Sequence, residues 1–169
     1  SILFLTIIKN KMELTMAIPN VNAAELQTYK LTTAQKDAVD QIKSLVGPRG
    51  YVSKTEEMEP HLVDWRGVYR GNAELVCYPI NTREVSDIVK ICSAAVMPIV
   101  PQGGNTSMCG GSVPLKNSAS IILNFSRMNQ IRCFDKNNYT MTVEAGCVLQ
   151  KLQQTASDAD RYFPLSRAA

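Results

Sequence analysis

Apolar residues first fall into a helical period over residues 32–46, where Ala38, Val39, Ile42, Leu45 and Val46 share one stripe. Thr32 with Gln35 three residues later has capping-box spacing, and Gly47-Pro48 supplies the stop. Residues 54–66 predict a short acidic helix start that Pro60 interrupts, and Gly67 and Gly71 then break the chain. From residue 75 the pattern changes. Residues 75–78 form an apolar run stopped by Pro79, hence a strand. Asn81 caps a helix with Glu84 at its third position, and Val85, Ile88, Val89 and Cys92 give that helix a buried face. A second strand over residues 98–101 completes a strand–helix–strand unit, which favours an α/β or α+β domain.

Three more strands are expected, over residues 120–125, 131–134 and 139–144. The last two flank Asp135-Lys136-Asn137-Asn138, a hairpin turn. Thr140, Thr142 and Glu144 alternate with Met141, Val143 and Ala145, so that strand has one polar face. Residues 148–159 read as a helix with Leu149, Leu152 and Ala156 spaced for burial. Residues 17–31 read as an extended, poorly patterned lead-in.

The chain has 169 residues, 45% of them hydrophobic and 20% charged, the mix of a globular domain large enough to bury a core without staples. A net charge of +3 from scattered basic residues gives nucleic-acid binding no support. Five cysteines without a Cys-x-x-Cys pair, beside the single histidine His61, draw no zinc site. Reduced thiols and a cytoplasmic setting are the plain reading. A histidine-dependent catalytic system would have to use His61, in a charged stretch next to Pro60, and we name no catalytic residue. The apolar residues 1–8 are about half a membrane span, with no basic segment before them and no clean cleavage site after. Residues 1–16 are therefore expected to be a translated leader or a cloning scar with the start near Met16, and the abrupt end at Ala169 reads as a cut.

Four of the nine glycines lie between Gly103 and Gly111, in VPQGGNTSMCGGSVP, straight after a strand. Glycines there allow successive backbone amides to converge on an anion, and Asn105, Thr106, Ser107 and Ser112 add neutral donors, so the stretch suits a phosphate or pyrophosphate. A P-loop is excluded because no lysine follows Gly110-Gly111. A Rossmann turn is excluded because Ser112-Val113-Pro114 blocks the helix that should open there. A nucleotide held here would lie over a loop between strands. The competing reading is a pair of tight turns with no ligand.

A resemblance decides between them. It is carried by Pro79-Ile80-Asn81-Thr82-Arg83-Glu84-Val85, Pro101-Gln102-Gly103-Gly104-Asn105-Thr106, Gly110-Gly111-Ser112-Val113-Pro114, Ser126-Arg127-Met128-Asn129 and Glu144-Ala145-Gly146-Cys147-Val148-Leu149. In these the chain resembles the FAD-binding domain of the vanillyl-alcohol-oxidase/PCMH flavoproteins, and within them the D-2-hydroxyglutarate and D-lactate dehydrogenase group. Asp64-Trp65-Arg66-Gly67-Val68-Tyr69 resembles the segment that precedes this domain. The resemblance implies an α+β fold, a PCMH-type domain of two α/β subdomains, incomplete at its end. It divides the chain into residues 1–16, a helical lead-in over 17–71, and the FAD-binding domain over 72–169.

It further implies that Pro101, Gln102, Gly103, Gly104, Asn105, Thr106, Ser107, Gly110, Gly111 and Ser112 wrap the FAD pyrophosphate. Covalent subfamilies often place a histidine after the paired glycines. Here Asn105 stands there, so non-covalent FAD is expected. Ser107 stands where glycine is usual, and its Cβ can crowd the cofactor. The implied reaction is hydride transfer from a D-2-hydroxy acid, D-2-hydroxyglutarate first and D-lactate as the alternative, to the flavin, with an electron acceptor and a homodimer as further partners. Substrate arginines, the base and any metal site would lie beyond Ala169. Arg127 and Arg132 read either as carboxylate clamps or as strand-end surface charge, and Trp65 and Arg66 as packing and a solvated flank.

Overall fold

Residues 75–77 and 121–123 are apolar without a break, the pattern of strands covered on both faces, and the fold covers them so. The computed structural model describes residues 30–165, which leaves the expected leader, residues 17–29 of the lead-in and the last four residues outside the described part. From Leu31 onward the chain forms one unit. Its order is α1 (Thr33–Val46), β1 (Tyr51–Val52), α2 (Thr55–Leu62), β2 (Leu75–Cys77), α3 (Thr82–Ala94), β3 (Ile99–Gln102), β4 (Ile121–Asn124), β5 (Ile131–Asp135), β6 (Thr140–Val143) and α4 (Leu149–Asp158).

The main sheet has the order β1-β2-β4-β3, with β2, β4 and β3 parallel and β1 antiparallel at one edge. Successive side chains of a strand point to opposite faces, and the core divides accordingly. Leu75, Cys77, Ile121 and Leu123 pack with Val39 and Ile42 of α1 and with Val85, Ile88 and Cys92 of α3. Val76, Val100 and Ile122 pack on the other side with Met58 and Leu62 of α2. The mixed layers are the α+β architecture expected.

Both expected caps form. The Thr32 hydroxyl accepts from Gln35 N while the Gln35 side chain accepts from Thr32 N, and Asn81 accepts from Glu84 N. The expected break at Pro60 does not occur: α2 runs through it to Leu62. Proline deletes only its own N–H donor and strains one preceding carbonyl, and in the last turn of an eight-residue helix little ladder remains to be lost. The carbonyls that end this helix are bonded by side chains from the glycine-rich loop.

Strands that run parallel within one sheet need a long crossover, usually a helix. The β2-to-β3 connection has one in α3, but β3 reaches β4 through residues 103–120 with no helix at all. A helix-free connection of this length in a packed domain marks a functional loop. Among the described residues β3 pairs on one side only. The carbonyls of Pro98 and Gln102 accept from β4 and its continuation at Ile121 N and Phe125 N, so Pro101, one residue out of phase, turns its nitrogen to the open side.

The β5–β6 hairpin is a separate two-stranded sheet closed at Asp135, whose carboxylate accepts from Asn137 N and Asn138 N. Gly146 ties it to the end of β4: its N–H donates to Met128 O at 2.9 Å, and a Cβ there would overlap the Phe125 carbonyl.

Candidate functional site

Three residues stand at the C-terminal ends of the three parallel strands: Tyr78 just after β2, Gln102 closing β3 and Asn124 closing β4, the last two in register. Open parallel sheets bind ligands at this edge. Gln102 is 1% exposed and every atom of its amide is used. Its Nε2 donates to His61 O and to Ser112 O, both at 3.0 Å. Its Oε1 lies 2.5 Å from His61 Nδ1 and 3.3 Å from Asn124 Nδ2. An amide oxygen only accepts, so His61 carries its hydrogen on Nδ1, and Nε2 accepts from the Tyr78 hydroxyl at 2.8 Å. Burial, then the neighbouring Cys77 and Glu57, raises the Tyr78 pKa, so the phenol stays a donor.

The loop after Gln102 is folded by its own side chains. Asn105 sits at φ +56°, a conformation asparagine tolerates better than most residues. Its Nδ2 donates to Pro60 O at 3.2 Å and Val63 O at 2.7 Å, and its Oδ1 accepts from Ser112 Oγ at 2.7 Å. Ser107 Oγ accepts from Gly111 N at 2.9 Å and closes a turn within the loop. Gly110, at φ +67°, lies under the Tyr69 ring, and Arg66 Nη2 donates to Met108 O at 2.5 Å.

Asp64 organises that flank. Its buried carboxylate accepts from Tyr69 N at 2.7 Å, and this bond, with further backbone donors at Val68 and Arg66, holds its pKa below the ordinary carboxylate value against the opposing effect of burial. Arg66 Nε stands 3.6 Å from its second oxygen.

All ten expected site residues therefore lie on the end of β3 and one loop, but they divide by what they do. Gln102 and Ser112 are buried, Asn105 is half-buried, and all three spend their side chains on the protein itself. Pro101, Ser107 and Gly110 are half-buried, whereas Gly103, Gly104, Thr106 and Gly111 are exposed. At Gly103 an added Cβ would meet nothing within 4 Å, and at Gly104 only Thr106 Cγ2 at 3.8 Å. At neither is the backbone left-handed. Nothing in the fold requires glycine at these two positions. What a missing Cβ does there is leave the amides open to close approach from outside, as an anion-binding loop needs. The residues present thus fit a diphosphate.

His61, Tyr78 and Asn124, which complete this arrangement, were not singled out as site residues from sequence. The only signal for Asn124 is a polar residue closing an otherwise apolar strand, and for His61 its uniqueness. Arg127 donates to the Arg49 and Tyr78 carbonyls, and Arg132 pairs with Glu144 at 3.0 Å. Among the described residues no three His, Cys, Asp or Glu side chains gather as a metal site.

The FAD binding domain family matches residues 73–169, and the chain belongs to that family. Its relatives include a mitochondrial D-2-hydroxyglutarate dehydrogenase of Arabidopsis thaliana, 36% identical over 131 residues, 78% of this chain and 23% of that one. The enzyme of the same name in Bos taurus is 33% identical over 144 residues, 85% of this chain and 26% of that one. A D-2-hydroxyglutarate–pyruvate transhydrogenase of Saccharomyces cerevisiae is 39% identical over 110 residues, 65% and 22% of the two chains. The chain thus spans about a quarter of the length of these relatives. Among solved structures, p-cresol methylhydroxylase superposes with a TM-score of 0.69 at 21% identity over 82% of this chain and 28% of that one, and alkyldihydroxyacetonephosphate synthase with 0.66 at 18% over 84% and 28%. These likenesses give the fold, which is PCMH-type.

Proposed function

We propose that the full-length protein carrying this chain is an FAD-dependent dehydrogenase of a D-2-hydroxy acid, with D-2-hydroxyglutarate as the first candidate substrate. The observation that carries it is the exposed Gly103-Gly104 pair, glycines with no role in the fold, at the C-terminal edge of the parallel strands. The amides of Gly103 and Gly104, with the Thr106 hydroxyl beside them, would meet the FAD diphosphate, while Gly110, Gly111 and Ser107 form the turn on the far side of the loop. Gln102, Asn105 and Ser112 keep the loop in place. Bound FAD supplies the two-electron acceptor that oxidation of a hydroxy acid to a keto acid requires. It is held without a covalent bond, because the position after the paired glycines is Asn105, whose side chain has no nucleophile and is already engaged.

The names of the relatives support the hydroxy-acid class, and the substrate and the acceptor are proposals of this reading, as is a homodimer. Free thiols fit a reducing compartment; we propose the cytoplasm, and the mitochondrial relatives make the organelle the alternative that fractionation separates. Among the described residues no helix is long and apolar enough to cross a membrane.

The test is purification of the full-length protein, reconstitution with FAD, and anaerobic addition of D-2-hydroxyglutarate or D-lactate. The expected result is a yellow protein, releasing FAD on denaturation, whose flavin absorbance bleaches faster with D-2-hydroxyglutarate. Faster bleaching with D-lactate moves the substrate to the alternative. A protein that takes up no FAD refutes the reading.

A further inference from the structure

The family match begins at residue 73, yet the groups that grip the glycine-rich loop stand before it, in α2 and the turn that follows. The end of α2 offers three carbonyls, at Pro60, His61 and Val63, and all three accept from the loop side chains Gln102 and Asn105. We propose that His61 is a positioning residue for the cofactor, setting the Gly103-Gly104 turn through Gln102, so that the FAD site of this chain starts in α2. The inference rests on the FAD reading above.

The argument turns on one amide. Gln102 can lie in its buried slot in two orientations of nearly equal shape. In the one seen, Nε2 reaches the His61 and Ser112 carbonyls, bonding the entry of the loop to its exit ten residues on. In the flipped one, Oε1 would oppose both carbonyls. Beside those two carbonyls, two donors favour the orientation seen from the other end of the amide: His61 Nδ1–H and Asn124 Nδ2, both at Oε1. Asn124 also reaches the Gly103 carbonyl at 3.4 Å, so the same group that reads the amide holds the first glycine. The Tyr78 hydroxyl lies 2.8 Å from His61 Nε2 and, by donating to it, supports the tautomer with the hydrogen on Nδ1 that the Gln102 oxygen calls for. The relay is Tyr78 to His61 to Gln102 to both ends of the loop. A histidine that merely filled space would need neither the tautomer nor the amide orientation to be specified.

The experiment uses the full-length protein stripped of FAD and titrated with it, following flavin fluorescence, with circular dichroism to establish folding. His61→Leu removes the donor, His61→Asn keeps one, since its Nδ2 reaches where Nδ1 stood, and Tyr78→Phe removes only the hydroxyl that supports the tautomer. His61→Leu is expected to weaken FAD binding about tenfold, the scale of one buried hydrogen bond. His61→Asn should restore affinity to within about threefold of wild type, and Tyr78→Phe should fall between the two. Wild-type affinity in folded His61→Leu, or an equal loss in His61→Leu and His61→Asn, overturns the proposal and leaves His61 a packed core residue. If His61→Leu does not fold, Tyr78→Phe decides, and unchanged affinity there overturns it. A wild-type protein that binds no FAD fails the flavoprotein reading itself, which the variants alone do not touch.

Discussion

Gly103 and Gly71 are both glycines, and the fold predicts opposite outcomes for the same substitution. In Gly103→Ala the new methyl meets no atom within 4 Å and the backbone is not left-handed. The flavin-free protein should be as stable as wild type, or gain about 0.4–1 kcal/mol from the stiffer unfolded chain. In Gly71→Ala the methyl overlaps the Pro114 carbonyl, with the carbonyl carbon 2.5 Å away and Pro114 Cα at 3.2 Å. That neighbour is backbone and cannot rotate aside, so a loss of about 2–3 kcal/mol is expected, the upper part of the overpacking range. For a chain of this size that is a drop of about 4–12 °C in Tm. FAD affinity should reverse the order. In the proposed site Gly103→Ala places a methyl where the phosphates would approach and should cost about tenfold or more in Kd, while Gly71→Ala, once folded, should bind nearly as wild type. Thermal melting of the apoprotein and fluorescence titration with FAD measure the two quantities separately. Unchanged FAD affinity in Gly103→Ala would refute the claim that this glycine serves a ligand. So would a melting loss as large as that of Gly71→Ala, which would make Gly103 a folding requirement.

Asn105→Ala should lose about 2–3 kcal/mol, from left-handed strain plus the hydrogen bonds to Pro60, Val63 and Ser112; Asn105→Gly should lose about half as much, since it relieves only the strain, and urea titration checks both. Asp64 is held below the ordinary carboxylate pKa, so its contribution to stability is present above the unfolded value and is lost as pH falls through the lowered one. Asp64→Asn should therefore flatten the acid side of the stability profile, read as urea midpoints between about pH 2 and pH 6; an unchanged slope would count against the role given to this carboxylate. Burial pushes the Cys92 thiol up to about 12 and raises Cys77 as well. Iodoacetamide at about pH 8 should then label Cys109 and Cys133 in the native protein and reach Cys77 and Cys92 only after unfolding, with mass spectrometry as the readout.

Elements governed by neighbours in the chain were legible. The Thr32–Gln35 and Asn81–Glu84 caps, the uninterrupted strands and the Asp135 turn each depend on residues within four positions, and each forms where the pattern places it. Pro60 misled because a single residue's preference was weighed without the α2 end that long-range partners complete. The loop was legible as chemistry and not as construction. Glycine spacing marks where amides gather, but no local rule tells that Asn105 would bond across to residues 60 and 63, or that Gln102 would be buried to its last atom. Those roles depend on contacts spanning more than forty positions, which pattern does not encode. The lone histidine was weighed as a nucleophile's partner and set aside, because its place beside Gln102 exists only once α2 lies over the sheet.

Among the described residues, the strand that delivers the loop is also one of the two edges of the main sheet, β1 being the other. Such an edge is a template on which a second chain can extend the sheet, and every outward N–H along it is a point of attachment. On β3 that row is short and broken, because Pro101 occupies an outward position and has no hydrogen to give. The residue that opens the glycine-rich stretch therefore also discourages strand-to-strand stacking between copies. Exchanging it for a good strand former such as Val or Thr would leave the loop glycines in place while giving the edge a continuous ladder to offer. Self-association of the concentrated protein, rather than loss of flavin, would be the first consequence seen.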